Sequence, residues 1–86
     1  MNNIDICVIG RKTADFTAHL TVIRSIEGLK VVKRRNKPFY DITGDITNKK
    51  DLTAMTEALQ YMLNHCGAEI EIKDDSLRQT ILDMVR

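Results

Sequence analysis

The apolar residues of this chain recur with two different periods, and the switches between the periods divide it into elements. An apolar residue stands at every second position over 4–8 and again over 68–72, which predicts two half-buried strands. Residues 16–26 and 48–65 instead place apolar side chains at helical spacing, which predicts two amphipathic helices. This order restricts the chain to folds in which a sheet packs against helices.

A hairpin and a last helix complete the predicted order of elements. Residues 29–34 and 39–43 predict two strands, and the turn Arg35–Pro38 between them holds the only proline of the chain. The motif Ser76-x-x-Gln79 has the spacing of a capping box at the start of a final helix. The predicted order is therefore β-α-β-β-α-β-α.

Short polar residues and glycines predict where the helices begin and end. Thr13 is the expected N-cap of the first helix, and Asn48 or Asp51 serves near the start of the second. Gly28 and Gly67 are expected to end these two helices at the C′ position.

We expect a single α+β domain over residues 1–86, a two-layer sandwich in which helices cover one face of the sheet. This length supports one hydrophobic core and not two. Alternation in the hairpin places Tyr40 and Ile42 on the side of the core.

The other face of the predicted sheet is mixed in character. It would carry Asp5, Cys7, Ile9, Val32, Phe39, Glu69 and Glu71. This set is more apolar than a solvated face requires, which predicts a surface for a protein partner or a second copy of the chain. The residues expected to form it are Cys7, Ile9, Val32 and Phe39, flanked by Arg34 and Glu71.

The loop between the first strand and the first helix is suited to an anion. Arg11 and Lys12 precede Thr13 at a helix N-terminus, where unpaired N–H groups and the helix dipole favour negative charge. Arg11, Lys12 and Thr13 are therefore candidates for binding phosphate or another anion.

Basic residues also concentrate on the predicted hairpin. Five of them lie there: Lys30, Lys33, Arg34, Arg35 and Lys37. Thirteen basic against twelve acidic residues give the whole chain a net charge of only +1, however. We therefore expect at most weak binding of nucleic acid by the hairpin.

The sequence contains no arrangement typical of an active site. Cys7 and Cys66 lack the spacing of metal ligands, and His19 and His65 have no partner at a catalytic spacing. We expect reduced cysteines, no enzymatic activity, no metal and no cofactor.

No apolar run reaches the about 20 residues of a membrane helix, and the first residues lack the basic start of a signal peptide. The expected location is the cytoplasm.

The element order and the end of the chain resemble the HPr phosphocarrier of the bacterial sugar phosphotransferase system. Cys66–Ile72 and the segment 76–85 match that family's last strand and closing helix in character. The family's signature is a phospho-accepting histidine followed by any residue and then Arg-Pro-Ala. Alignment on the first helix places Thr13 at the histidine, Asp15 at the arginine and Phe16 at the proline.

The resemblance implies an HPr-like fold that has lost phosphocarrier chemistry. Thr13 has no imidazole to carry a transferable phosphoryl group, and Asp51 stands where the family has its regulatory serine. A ferredoxin-like sheet of the ACT type is the alternative, with the same element order but a different strand order. We expect a small regulatory or protein-binding module; an ACT-like small-molecule sensor and a weak nucleic-acid-binding module remain alternatives.

Overall fold

The computed structural model describes residues 2–73 together with residues 78 and 79. Within them the chain forms β1 (Asn2–Ile9), α1 (Ala14–Arg24), β2 (Leu29–Lys33), β3 (Phe39–Ile46), α2 (Lys49–His65) and β4 (Glu69–Ile72). The six elements follow the predicted order. The capping box at Ser76 and the helix predicted after it lie almost wholly outside the described residues.

The four strands form one sheet in the order β2-β3-β1-β4, with every neighbouring pair antiparallel. α1 joins β1 to the parallel strand β2, and β3 lies between them; α2 joins β3 to β4, and β1 lies between them. The sheet therefore consists of two interleaved split β-α-β units. The predicted α+β architecture is confirmed, whereas its specifically HPr-like form is not.

Alternation along the strands places one set of side chains against the helices. Ile4, Ile6 and Val8 of β1 are buried there, and the predicted inward residues Tyr40 and Ile42 are 5% and 0% exposed. The helices contribute their predicted stripes to the same core: Phe16, Leu20 and Ile23 from α1, and Leu52, Met55, Leu59 and Met62 from α2. The core thus lies between the two layers.

Thr13 is confirmed as the N-cap of α1, and of the two residues expected near the start of α2, Asn48 is its N-cap. The hydroxyl oxygen of Thr13 accepts from the backbone N–H of Phe16 at 3.2 Å. The side-chain carbonyl of Asn48 accepts from the backbone N–H of Asp51 at 2.8 Å. Each cap satisfies an N–H group that the helix itself leaves unpaired.

The prediction that Gly28 ends the first helix is wrong. α1 ends at Arg24 with Ser25 as its C-cap, three residues before Gly28. Gly28 instead lies beside Gly44 where β2 and β3 begin to pair, and its carbonyl oxygen accepts from the N–H of Asp45 at 3.1 Å. A Cβ atom on Gly44 would overlap that carbonyl, so the close approach of these strands requires a glycine.

Two strands extend further than predicted, because they pair with each other along their whole length. β3 runs to Ile46 and not to Thr43, since its last residues lie opposite the start of β1, with Ile46 facing Asn2. β1 correspondingly begins two residues before Ile4. The end of the sheet where β1 stops and β3 starts is defined by Ile9 and Phe39, which lie opposite each other.

Candidate functional site

One face of the sheet points away from α1 and α2. We call it the open face; its members are Asn3, Asp5, Cys7, Ile9, Lys30, Val32, Arg34, Phe39, Asp41, Thr43, Asp45, Glu69, Glu71 and Lys73. The register brings Cys7 opposite Asp41 and Glu71, and Ile9 opposite Phe39 and Glu69. The residues predicted to form a partner surface therefore do lie on one face, in two neighbouring rows.

Exposure differs strongly among the four apolar residues of the open face. Val32, in the edge strand β2, is 46% exposed, whereas Cys7, in the central strand β1, is only 3% exposed. Ile9 and Phe39 are half-buried. Cys7, Ile9 and Phe39 thus form an apolar centre with Cys7 as its floor, whereas the more exposed Val32 lies on β2, across Asp41 from Cys7.

The thiol of Cys7 is poorly suited to chemistry. Burial, followed by the negative charge of Asp41, raises its pKa above the ordinary value. A nucleophilic or metal-binding cysteine needs the thiolate, which this surrounding disfavours. Both cysteines are free, as predicted.

Arg34 connects the charged and aromatic parts of the open face. Its Nε and Nη2 atoms donate to the carboxylate of Asp41 at 2.8 and 2.9 Å. Its guanidinium also lies over the ring of Phe39, 5.4 Å from the centroid. The hydrogen bonds to Arg34 lower the pKa of Asp41, so this carboxylate stays charged and paired near neutral pH.

The two edges of the open face differ in charge. On the edge strand β2 and the residue after it, the charged members are Lys30 and Arg34, whereas the carboxylates of Asp41 and Asp45 lie on the neighbouring strand β3. On the β4 side, Glu69 and Glu71 are exposed, and Lys73 lies 3.9 Å from the carboxylate of Asp5. The face therefore has a cationic side, an apolar centre and an anionic side.

A second feature lies at the end of the sheet marked by Ile9 and Phe39. The N–H of Gly10 donates to the carbonyl of Pro38 at 3.0 Å and so holds the loop before α1 against the β2–β3 turn. A groove of about 320 Å³ borders this contact, and a second of about 230 Å³ adjoins it along α1; we call them the basic grooves. Their basic lining residues are Arg11, Lys12, Arg24, Lys33 and Lys37.

The predicted anion-binding trio is only partly assembled in the basic grooves. Arg11 and Lys12 line them, but Thr13 does not, since its hydroxyl oxygen caps α1. Sequence reasoning treated Lys33 and Lys37 as part of a separate hairpin and missed Arg24. The signal that could have joined them is positional: in an antiparallel sheet, the loop after β1 and the turn before β3 lie at the same end.

Asp51, the predicted equivalent of a regulatory serine, lies far from Thr13. It stands in the first turn of α2, after β3 has crossed the sheet, and its carboxylate accepts from the amide of Asn48 at 2.8 Å. Thr13 follows β1 at the opposite end. Asp51 therefore acts here as part of a helix cap.

His19 of α1 and His65 of α2 both contact the ring of Tyr61. The ring of His19 stacks on Tyr61 at 4.0 Å between centroids, and His65 lies against the same ring at 4.7 Å. The hydroxyl of Tyr61 donates to the carboxylate of Asp15 at 3.2 Å, and this bond raises the pKa of Tyr61. The cluster links α1 to α2.

Within the described residues, no three His, Cys, Asp or Glu side chains lie close enough together to hold a metal ion. None of the helices in that part of the chain has the length and apolar character needed to cross a membrane. Comparison of the chain with protein-family models, with curated proteins and with solved structures found no match.

Proposed function

We propose that this chain is a small protein-binding module that associates with a second copy of itself through the open face. One observation carries the proposal: the apolar centre of that face lies between a cationic β2 side and an anionic β4 side. A surface with opposite charges at its two sides is complementary to a copy of itself that is rotated by 180° about an axis parallel to the strands.

The symmetry of such a pair follows from the strand order. A two-fold axis parallel to the strands, lying between two stacked sheets, places β2 of each copy over β4 of the other. Arg34 then lies near Glu69 of the partner subunit, and Phe39 lies over the partner subunit's Ile9. Both contacts occur twice, so charge and apolar complementarity favour the same arrangement.

The size of the face sets the expected affinity. Four strands and the length of β1 give about 14 by 23 Å, on the order of 300 Å². Standard stable interfaces bury about 800 Å² on each partner. We therefore expect a weak dimer, with a dissociation constant in the micromolar range, that forms and separates readily.

The strand order bears on the two fold families considered for the chain. HPr-like and ferredoxin-like sheets share their element order and differ in strand order, and two split β-α-β units are the ferredoxin-like arrangement. The ferredoxin-like alternative is therefore the better proposal for the family of folds. Pairing of two domains is also the setting in which ACT domains bind amino acids.

The proposal includes the absence of phosphocarrier chemistry. Thr13 uses its hydroxyl oxygen as a helix cap, and His19 has its Nδ1 atom 2.8 Å from the carbonyl of Asp15. A phosphoryl relay needs an imidazole nitrogen that is free to attack and open to a donor protein. We expect no phosphorylation by phosphoenolpyruvate and the first enzyme of the phosphotransferase system, tested by mass spectrometry; an acid-labile phosphate on either histidine would contradict this.

Analytical ultracentrifugation of the wild type and of Val32→Asp tests the self-association. Val32 is 46% exposed, so its replacement adds a charge to the open face without disturbing the core. Leu63→Asp is the matched control, because Leu63 is 51% exposed on α2 and lies outside the open face. Phe39→Asp provides a second variant in the adjacent row, with circular dichroism to check its fold.

We expect the wild type and Leu63→Asp to show concentration-dependent dimers, and both open-face variants to remain monomeric while folded. A wild type that is monomeric at every concentration up to about 1 mM, well above a micromolar dissociation constant, would overturn the proposal. Equal loss in Leu63→Asp would show that a different surface is involved.

A further inference from the structure

The basic grooves hold a concentration of cations that the proposed dimer does not use. We propose that they bind a compact anion carrying two or more adjacent phosphate groups. This inference is independent of the self-association, because the grooves lie at the end of the sheet and on the side of α1.

Three separate segments supply the cations. Arg11 and Lys12 come from the loop before α1, Arg24 from the last turn of α1, and Lys33 and Lys37 from the two sides of the β2–β3 turn. Lys12, Lys33 and Tyr40 line both grooves. A ligand with adjacent phosphate groups can therefore extend from one groove into the other past the two shared ammonium groups.

The charges of these side chains are not neutralised by the protein around them. None of the five cations forms an ion pair with a described residue, and no described acidic residue lines either groove. The acid nearest to Arg11 and Lys12 along the chain is Asp15, whose carboxylate accepts from Tyr61 on α2. Asp15 lies on the opposite side of α1 from Thr17 and Arg24, the residues that line the second groove.

Clustered cations of this kind repel one another, and an anion that lies between them removes the repulsion. Lysine and arginine side chains from different segments can surround a phosphate group from several directions. The loop itself is held in place by the hydrogen bond from Gly10 to Pro38, which keeps Arg11 and Lys12 next to the turn. The site is therefore largely formed before the ligand arrives.

The shape of the site favours a compact ligand over a nucleic-acid strand. Volumes of about 320 and 230 Å³ are at the lower end of those of small-molecule sites. Single-stranded nucleic acids are bound by stacking their bases on open aromatic rings. Here Arg34 and Lys37 already lie over the ring of Phe39, and Tyr40 is only 5% exposed.

Inorganic tripolyphosphate is the probe, and isothermal titration calorimetry with backbone-amide NMR is the measurement. The test variant is Lys12→Gln/Lys33→Gln, which removes the two cations shared by the grooves. Lys49→Gln/Lys50→Gln is the matched control, because it removes the same charge from exposed positions in the first turn of α2. Val32→Asp is titrated as well. Because this variant is expected to be monomeric, its titration shows whether the anion binds independently of self-association.

We expect amide shifts in residues 10–13 and 33–38 of the wild type, of the control and of Val32→Asp. The Lys12→Gln/Lys33→Gln variant should bind about tenfold more weakly, the effect of removing two exposed ion pairs. No saturable binding by the wild type, or equal weakening in the control, would overturn the proposal. Tighter binding of a single-stranded oligonucleotide than of tripolyphosphate, with the same dependence on Lys12 and Lys33, would overturn the choice of a compact ligand.

Discussion

Arg34 of the β2–β3 hairpin donates two parallel hydrogen bonds to the carboxylate of Asp41, with donor–acceptor distances of 2.8 and 2.9 Å. Bidentate pairs of this kind fix geometry as well as charge. The pair holds the guanidinium over Phe39 and pairs the Asp41 carboxylate that lies opposite Cys7. It therefore fixes the position of the Arg34 guanidinium relative to Phe39, at the boundary between the cationic side of the face and its apolar centre.

The Arg34–Asp41 pair should stabilise the fold in a pH-dependent way. Because the pKa of Asp41 is lowered in the folded chain, its contribution is present above the ordinary value of 3.8 and is lost as the pH falls through the lower folded value. Asp41→Asn should reduce the free energy of unfolding by at most about 1 kcal/mol at neutral pH, since the pair is partly exposed. Urea unfolding of both proteins at neutral pH and at about pH 2.5 measures this, and the difference should be smaller at the lower pH. A difference that grows on acidification would contradict the role given to the pair.

Gly44→Ala should be among the most damaging single substitutions in the chain. The new Cβ would overlap the carbonyl of Gly28, and residue 44 has a φ of 135° that L-residues rarely adopt. We expect a loss of about 3 kcal/mol or more of unfolding free energy. Gly67→Ala is the control: its φ is 64° but nothing lies within 4 Å of the added atom, so it should cost only about 1 kcal/mol. Similar losses in the two variants, measured by urea unfolding, would show that the contact with Gly28 is unimportant.

Local patterns in the sequence were sufficient to predict the elements that depend on local physics. Alternation indicates the strands, and short polar residues indicate the caps at Thr13 and at Asn48 or Asp51, because a cap depends on residues only three positions apart. Gly28 was misplaced for the opposite reason. Its conformation is required by β3, sixteen residues further along the chain at Gly44, and no pattern around Gly28 indicates that neighbour.

The basic grooves could not be predicted from the sequence for a similar reason. Arg11 and Lys12 are separated from Lys33 and Lys37 by a helix and a strand, and only the pairing of β1 with β3 brings them together. The open face was predicted more completely. Period-two alternation alone places Cys7, Ile9, Val32 and Phe39 on the same side of a sheet, whatever the order of its strands.

The two thiols should differ in reactivity. Cys7 is 3% exposed and its pKa is raised by burial, whereas Cys66 is partly exposed beyond the end of α2. Brief treatment of the folded protein with iodoacetamide, followed by mass spectrometry of peptides, should find Cys66 modified well before Cys7. The control is the same treatment in urea, where both should react. Modification of Cys7 as fast as Cys66 in the folded protein would show that the open face is more accessible than its burial indicates.

The self-complementary charge of the open face is tested most directly by exchanging charges between its two sides. Arg34→Glu places like charges together in a pair of identical copies, and so does Glu69→Arg, so each variant alone should be monomeric. In a mixed dimer, the new acid at position 34 of one variant faces the new base at position 69 of the other. The unchanged Glu69 of the first variant faces the unchanged Arg34 of the second, so both contacts become favourable again. Sedimentation velocity of the two variants, separately and mixed, is the measurement, with circular dichroism to confirm that Arg34→Glu is folded without its bond to Asp41. We expect monomers separately and a dimer in the mixture; folded variants that remain monomeric when mixed, beside a dimeric wild type, would contradict the proposed pairing of β2 with β4 across the interface.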